Sequence, residues 1–328
     1  MTAHPATDVH THLAPLLGAA ARERNGVGLR DGRYVVADQP VGPDGLYRPE
    51  GLTAHLAAHA LDRAIVSVPP PFFRQGRAAE DCRRWAADVN DGLLAAVDGH
   101  GGLSPLAYLP LDRPDAALAE YRWRRGDPAW AGFSGAAGGG SPAMDAPELA
   151  PLWDAMAADG AAILLHPGLS TDPRLARHYL GNLLGNPVES TVSAAELVFG
   201  GVLHRYQGIA FILAHCGGAT AALAGRWQRG YATGSPGVAP LDEEPSAAVR
   251  RFYVDALAHE PAVVDLAAAV IGTDRIVLAS DWPFPMGVDD PHTAVAHLPA
   301  ADRERIARTN PAELFGGRRA AAHRGERP

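Results

Sequence analysis

The sequence predicts a (β/α)8 TIM barrel, and three observations carry the prediction. Eight short apolar runs alternate with amphipathic, alanine-rich helical stretches along nearly the whole chain. The length, 328 residues, lies in the range of such barrels. The first run ends in His-x-His-x-x-Pro with no GxGxxG after it. That last feature weighs against a doubly wound open sheet, which usually carries a Gly-rich phosphate loop there.

In chain order, Thr7–His12 reads as the first strand and Pro49–Leu61 as the first helix. Between them, Leu16–Tyr47 is a long Gly-rich insertion suited to a lid or substrate loop. Ala64–Val68 and Leu103–Leu109 follow as strands, with helices at Arg77–Val97 and Pro114–Arg124. Ala131–Ser134, Ala161–His166 and Ile209–His215 are the next three strands, separated by helices at Ala146–Asp159 and Ser190–Tyr206. Helices at Ala219–Arg229 and Pro261–Ile271 precede the last two strands, Phe252–Ala256 and Arg275–Asp281. These strand runs are short, apolar and partly β-branched or aromatic, as buried parallel strands are. Gly230–Pro245 is a Pro/Gly/acid-rich excursion. Helices at Asp302–Arg308 and Pro311–Phe315 end the pattern, and Ala320–Pro328 reads as a frayed tail. No repeat is visible, so residues 1–328 are expected to form one domain.

Composition excludes several functions. Hydrophobic residues make up 47% and mean hydropathy is −0.08, values of a folded globular chain. No apolar run approaches the ~20 residues of a membrane helix, and the start lacks the pattern of a signal peptide, so the expected compartment is the cytoplasm. A net charge of −8 argues against a nucleic-acid surface. Cys82 and Cys216 make neither a disulfide framework nor a CxxC site. Lysine is absent, so all 29 basic residues are arginine. A Schiff base, a PLP anchor, a P-loop lysine and a carboxylated-lysine metal bridge are thereby excluded.

The polar residues at strand ends suggest a metal site. Side chains two apart on a strand share a face, so Asp8, His10 and His12 are expected to project together. His166 ends the fifth strand in ILLHPG, His215 the sixth in FILAHCGG, and Asp281 the eighth in IVLASDWPFP. In a barrel, C-terminal strand ends converge on one mouth. Nitrogens of His10, His12 and His166 with an oxygen of Asp281 suit Zn2+ or a similar divalent ion with one position left for water. His215 is then either a further ligand or a base for that water's proton. The other histidines, His55 and His59 included, fall at surface-like positions, and Cys216 reads as a small buried thiol.

These residues resemble the amidohydrolase superfamily. The strings ILLHP, AHCGGATAALAGR, LYRPEGL and the stretch Arg251–Gly287 resemble its metal-dependent decarboxylase branch, typified by α-amino-β-carboxymuconate-ε-semialdehyde decarboxylase. The resemblance runs from Asp8 to about Phe315 and is weakest between Pro15 and Gly45. It implies His10, His12, His166 and Asp281 as ligands, with Asp281 also part of the catalytic pair. His215 is implied as the acid/base beside the metal-bound water. It further implies Arg48 and Arg226 as holders of substrate carboxylates, with Arg226 donated across a homodimer interface. A guanidinium fits that task because it binds a carboxylate through two parallel hydrogen bonds. With no lysine to bridge two ions, the implied cofactor is one Zn2+ or another divalent metal. The implied activity is non-oxidative decarboxylation of a small amino- or hydroxy-muconate semialdehyde or aromatic acid by metal-bound water or hydroxide. The partner is that small-molecule carboxylate, with no nucleic acid and no membrane. The alternative is hydrolysis or hydration of a carboxylate-bearing lactone, amide or enol at the same site. A metal-binding protein without turnover is disfavoured, because it has no need of His215.

Overall fold

Each apolar run is followed by a helix that carries the chain back along the sheet, so successive runs pair in parallel. In the computed structural model, which describes residues 4–316, these runs are β1 (Thr7–His12), β2 (Arg63–Ser67), β3 (Leu103–Leu109), β4 (Gly132–Ala137), β5 (Ala162–Pro167), β6 (Ala210–Leu213), β7 (Tyr253–Asp255) and β8 (Ile276–Val277). They form one eight-stranded sheet in chain order, every pair parallel. β8 and the segment after it return to β1. The Val9 N–H donates to the Leu278 carbonyl at 2.9 Å, the Asp281 N–H donates to the His10 carbonyl at 2.9 Å, and Thr11 bridges to Trp282. The barrel is the one predicted. The tail read at 320–328 lies outside the described residues.

Two apolar layers hold the barrel. Val9, Ile65, Leu164, Ile212 and Val277 form a small cluster into which Leu314 and Phe315 of the helix Asn310–Gly316 pack. Because Leu164 and His166 share a strand face, this cluster lies inside the barrel, beneath the site. A larger cluster joins the opposite strand faces to the surrounding helices, among them Leu52, Trp85, Tyr121, Trp153 and Leu197. No helix among the described residues is long and apolar enough to cross a membrane.

Several elements differ from the sequence reading. The stretch 16–47 is not an open loop. It holds the helix Ala19–Asn25 and a three-stranded antiparallel sheet of Gly28–Arg30, Arg33–Val36 and Gln39–Pro40. The expected helix Ser190–Tyr206 begins earlier, at Asn186, behind a π-helical turn over Gly181–Gly185. It breaks at Gly200–Gly201, where Gly201 takes φ +66°. β8 covers only Ile276–Val277, and β6 stops at Leu213, so Asp281 and His215 follow their strands rather than end them. Asp8 also departs from the expected common face. The β1–β2 register is irregular between Asp8 and Thr11, and such an irregularity breaks two-residue alternation. His10 and His12 face the mouth, whereas Asp8 accepts hydrogen bonds from the Ser280 N–H and Oγ. Its Oδ2 lies 3.7 Å from His55 Nε2. His55 is therefore buried against Asp8, not at the surface.

Candidate metal centre and active site

Five side chains from β1, β5, and the turns after β6 and β8 meet at the mouth. Ring centroids of His10, His12 and His166 lie 5.0 to 5.3 Å apart, and His215 lies 5.3 Å from His10 and 5.1 Å from His166. Each of the first three imidazoles has Nδ1 engaged away from the centre. His10 Nδ1 is 2.9 Å from Asp255 Oδ2, and His12 Nδ1 is 3.0 Å from Ser67 Oγ, whose own hydroxyl donates to the Thr11 carbonyl. His166 Nδ1 donates to the Pro167 carbonyl at 3.0 Å. A histidine whose Nδ1–H is donated presents the Nε2 lone pair at its other end.

Those lone pairs converge. His10 Nε2 and His12 Nε2 are 3.0 Å apart, and Asp281 Oδ1 is 3.1 Å from His12 Nε2 and 3.6 Å from His10 Nε2. Asp281 Oδ1 is buried and accepts no hydrogen bond. Lone pairs crowded this closely repel unless a cation lies among them. The nitrogen and oxygen donors suit a divalent transition metal. Two overlapping groups can hold such an ion, His10/His12/Asp281 and His10/His166/His215, each with all ligand atoms within 4.8 Å of one another. His10, His12 and Asp281 thus form one group whose donor chemistry fits a divalent metal, and His166 joins His10 in the other, where His215 takes the third place.

The surroundings set the charge of each group. Burial pushes the His10 imidazole down, but the Asp255 hydrogen bond and the carboxylates of Asp281, Asp255 and Asp8 outweigh it, so its net shift is upward. The spot favours positive charge. Burial lowers His12 despite the pull of Asp281, and holds His166 well below 6.5 with help from the neighbouring imidazoles. Burial and the His10 charge bring His215 down to about 4. Asp281 is pushed up by burial, yet its histidine partners bring it below the usual carboxylate value. The Cys216 thiol is pushed up to about 12, chiefly by burial. It is not a thiolate nucleophile, as the sequence reading holds.

A cavity of ≈ 280 Å³ opens over this floor of His166, His215 and Asp281. Its walls are mostly apolar, from Pro70, Leu183, Pro187, Leu257, Phe284 and Met286, with Tyr179, Asn182, Asn186 and His259 as polar points. Tyr179, His215, Cys216, His259 and Asp281 all line it with φ between +53° and +61°. Non-glycine residues in this region are strained, and such strain concentrates at functional sites. No residue of 16–47 lines the cavity. Arg48 and Arg226 do not line it either. Both are exposed, Arg48 ahead of the helix Pro49–Ala58 and Arg226 on the helix Thr220–Ala232.

Sequence reasoning missed two residues, Ser67 and Asp255. Ser67 braces His12. Asp255, fully buried at the end of β7, accepts from His10 and from the backbone of the turn that carries His215. An acid ending a strand at the same mouth was the available signal for Asp255. Ser67, at the end of β2, carries no comparable mark in sequence.

Comparison with known proteins gives the chain a family and a fold. Residues 7–317 match the amidohydrolase family. The chain is similar to 2-amino-3-carboxymuconate-6-semialdehyde decarboxylase of Dictyostelium discoideum, 22% identical over 94% of this chain and 89% of that one. It is 28% identical to γ-resorcylate decarboxylase of Rhodococcus jostii (strain RHA1), over 78% of this chain and 84% of that one. A solved structure of dihydroxybenzoic acid decarboxylase from Polaromonas sp. JS666, with bound manganese and the inhibitor 2-nitroresorcinol, superposes with a TM-score of 0.77 at 20% identity. It covers 98% of this chain and 100% of that one.

Proposed function

The chain belongs to the amidohydrolase family, and from that premise we propose that it is a metal-dependent decarboxylase of a small, preferably aromatic, carboxylic acid. The observation that carries the reading is the convergence of His10 Nε2, His12 Nε2 and an unpartnered Asp281 oxygen at the base of an apolar cavity. His10, His12, His166 and Asp281 would hold one divalent ion, zinc or manganese. When bound, that ion supplies Lewis acidity and an anchor for the substrate's oxygens.

The rest of the chemistry belongs to the chain. Decarboxylation without an oxidant needs a proton on the carbon that carries the carboxylate. The pair of electrons from the breaking C–C bond then returns to the ring as CO2 leaves. His215 is suited to hold and move that proton. Burial brings it down to about 4, so it starts neutral and would take that proton from water before passing it to the carbon. Its side chain is 18% exposed and lines the cavity, and its Nε2 lies 3.9 Å from Asp281 Oδ2. Phe284, Pro187 and Leu257 exclude water, which strengthens each electrostatic contact at the floor. Asp255 and Ser67 fix the imidazoles that face inward.

Arg226 is assigned to a second copy's site, so the working unit is a homodimer. An exposed apolar stripe of Leu184, Val188 and Val192, four residues apart beside the cavity, supports an interface there. The absence of arginine among the residues that line the cavity leaves a substrate carboxylate in need of such a donor.

The test is CO2 release by metal-reconstituted protein from a panel holding 2,6-dihydroxybenzoate, salicylate-type acids and 2-amino-3-carboxymuconate-6-semialdehyde. Release from at least one acid is expected. Hydrolysis of lactones or amides without any CO2 release would overturn the reading.

A further inference from the structure

Asp255 is the most heavily used side chain near the site, and its four partners lie on two different parts of the mouth. Its Oδ2 accepts the His215 N–H at 2.9 Å and lies 2.9 Å from His10 Nδ1. Its Oδ1 accepts the Cys216 N–H at 2.8 Å and the Leu257 N–H at 3.0 Å. Three of these partners are backbone amides, which can only donate, so both oxygens are acceptors and His10 Nδ1 must donate as well. The His10 lone pair is thereby fixed at Nε2, the atom that faces His12 and Asp281.

The amides it holds are unusual in conformation. His215, Cys216, Gly217 and Gly218 are four consecutive residues with φ of +54°, +53°, +68° and +60°. The first two carry side chains that this region disfavours, so the turn persists only where its surroundings hold it. Hydrogen bonds from the His215 and Cys216 amides to one buried carboxylate supply that hold. We propose that Asp255 is a positioning residue that latches the His215 turn and sets the His10 lone pair at once, making the base and the ligand set one hydrogen-bonded unit. The inference rests on the ligand reading above. Neither half works without the other. A carboxylate that served only the turn has no reason to take up His10, and one that served only His10 has no reason to accept two amides of a strained turn.

Asp255→Asn keeps the shape and replaces one acceptor by a donor. Whichever way the amide turns, its NH2 faces two donors, either His10 Nδ1 with the His215 N–H or the Cys216 and Leu257 N–H groups. Zn2+ and Mn2+ alone are titrated into the metal-stripped full chain, and amide exchange is followed over residues 215–218. The expected result is a loss of metal affinity of about tenfold or more together with faster exchange across the turn. At saturating metal, kcat is also expected to stay low. Ser67→Ala, which touches His12 but not the turn, is expected to weaken metal binding while leaving the turn's exchange unchanged. Should Asp255→Asn not fold, Asp255→Glu takes its place, with the same two shifts expected. Metal affinity within about twofold of the parent, or unchanged exchange over 215–218, overturns the proposal. CO2 release that persists in metal-free parent protein instead defeats the ligand reading on which it rests.

Discussion

His166 and His215 lie 5.1 Å apart by ring centroid, yet the surroundings of their second nitrogens suit them to different tasks. His166 Nδ1 donates to the Pro167 carbonyl, whereas His215 Nδ1 is buried without a partner. A ring braced at one end suits a ligand, and one left unbraced suits a group that gains and loses a proton. His166→Ala is therefore expected to lose bound metal by elemental analysis. His215→Ala is expected to keep the metal while kcat falls by roughly 10²–10⁴, the usual worth of a general acid–base. A pH dependence follows from the same residue. Burial holds His215 at about 4 against an ordinary 6.5. Between those values the unfolded chain binds a proton that the folded chain refuses, so stability falls as pH drops from 6.5 toward 4. In metal-free protein, His215→Gln is expected to flatten the decline of Tm across that window, as measured by calorimetry. A parent and variant with parallel curves would contradict it. The five mouth residues were legible because imidazoles and an acid at or just beyond the ends of apolar runs are rare and chemically loud. Asp255 ends its strand in the same way, but a single buried acid in sequence looks like any turn-capping residue until its four partners are visible.

At the scale of elements, the turn after β6 joins the barrel to the helix Asn186–Phe199, whose N-terminal residues line the cavity. A Cβ on Gly218 would meet the Pro187 carbonyl oxygen at 2.2 Å and Thr191 Oγ1 at 2.7 Å, and its φ is +60°. Backbone oxygen cannot move aside cheaply, so Gly218→Ala is expected to cost about 2 kcal/mol or more, read as a lower denaturation midpoint. Because the turn also holds His215, kcat should drop with it. An unchanged midpoint would show that the contact relaxes freely. The strands Thr7–His12 and Leu103–Leu109 match their expected bounds, although TDVHTH is half acid and imidazole and LSPLAYL holds no β-branched residue. Arg275–Asp281 was read too long, since only Ile276–Val277 pair in the ladder while Leu278 and Asp281 make isolated bonds to β1. The small sheet within 16–47 escaped notice because strands of two to four residues are too short for periodicity to register. Its tight turns pass through Asp31 and Gly32, then Ala37 and Asp38, all with positive φ.

For the whole molecule, the barrel was legible because eight alternating strand and helix patterns admit few topologies. A homodimer is suggested by family likeness alone, since no pattern within one chain says whether an exposed arginine would serve another copy's cavity. If Arg226 crosses to a second copy, Arg226→Ala and His215→Ala are each inactive alone. Mixed and re-annealed, they form hybrid dimers with one intact site and are expected to regain roughly a quarter of parental activity from random pairing. No recovery from a mixture that light scattering confirms as dimeric would place Arg226 in its own chain's site or outside any site. The proposed function needs one metal ion at one barrel mouth, joining His10, His12, His166 and Asp281 to the loss of CO2. Its most direct measurement is CO2 release from 2,6-dihydroxybenzoate, or from whichever panel acid is turned over, as Mn2+ is added stepwise to stripped protein. Activity is expected to start from near zero, rise linearly and level off at one ion per chain. Undiminished release before any metal is added, or a plateau reached only at two ions per chain, would contradict it.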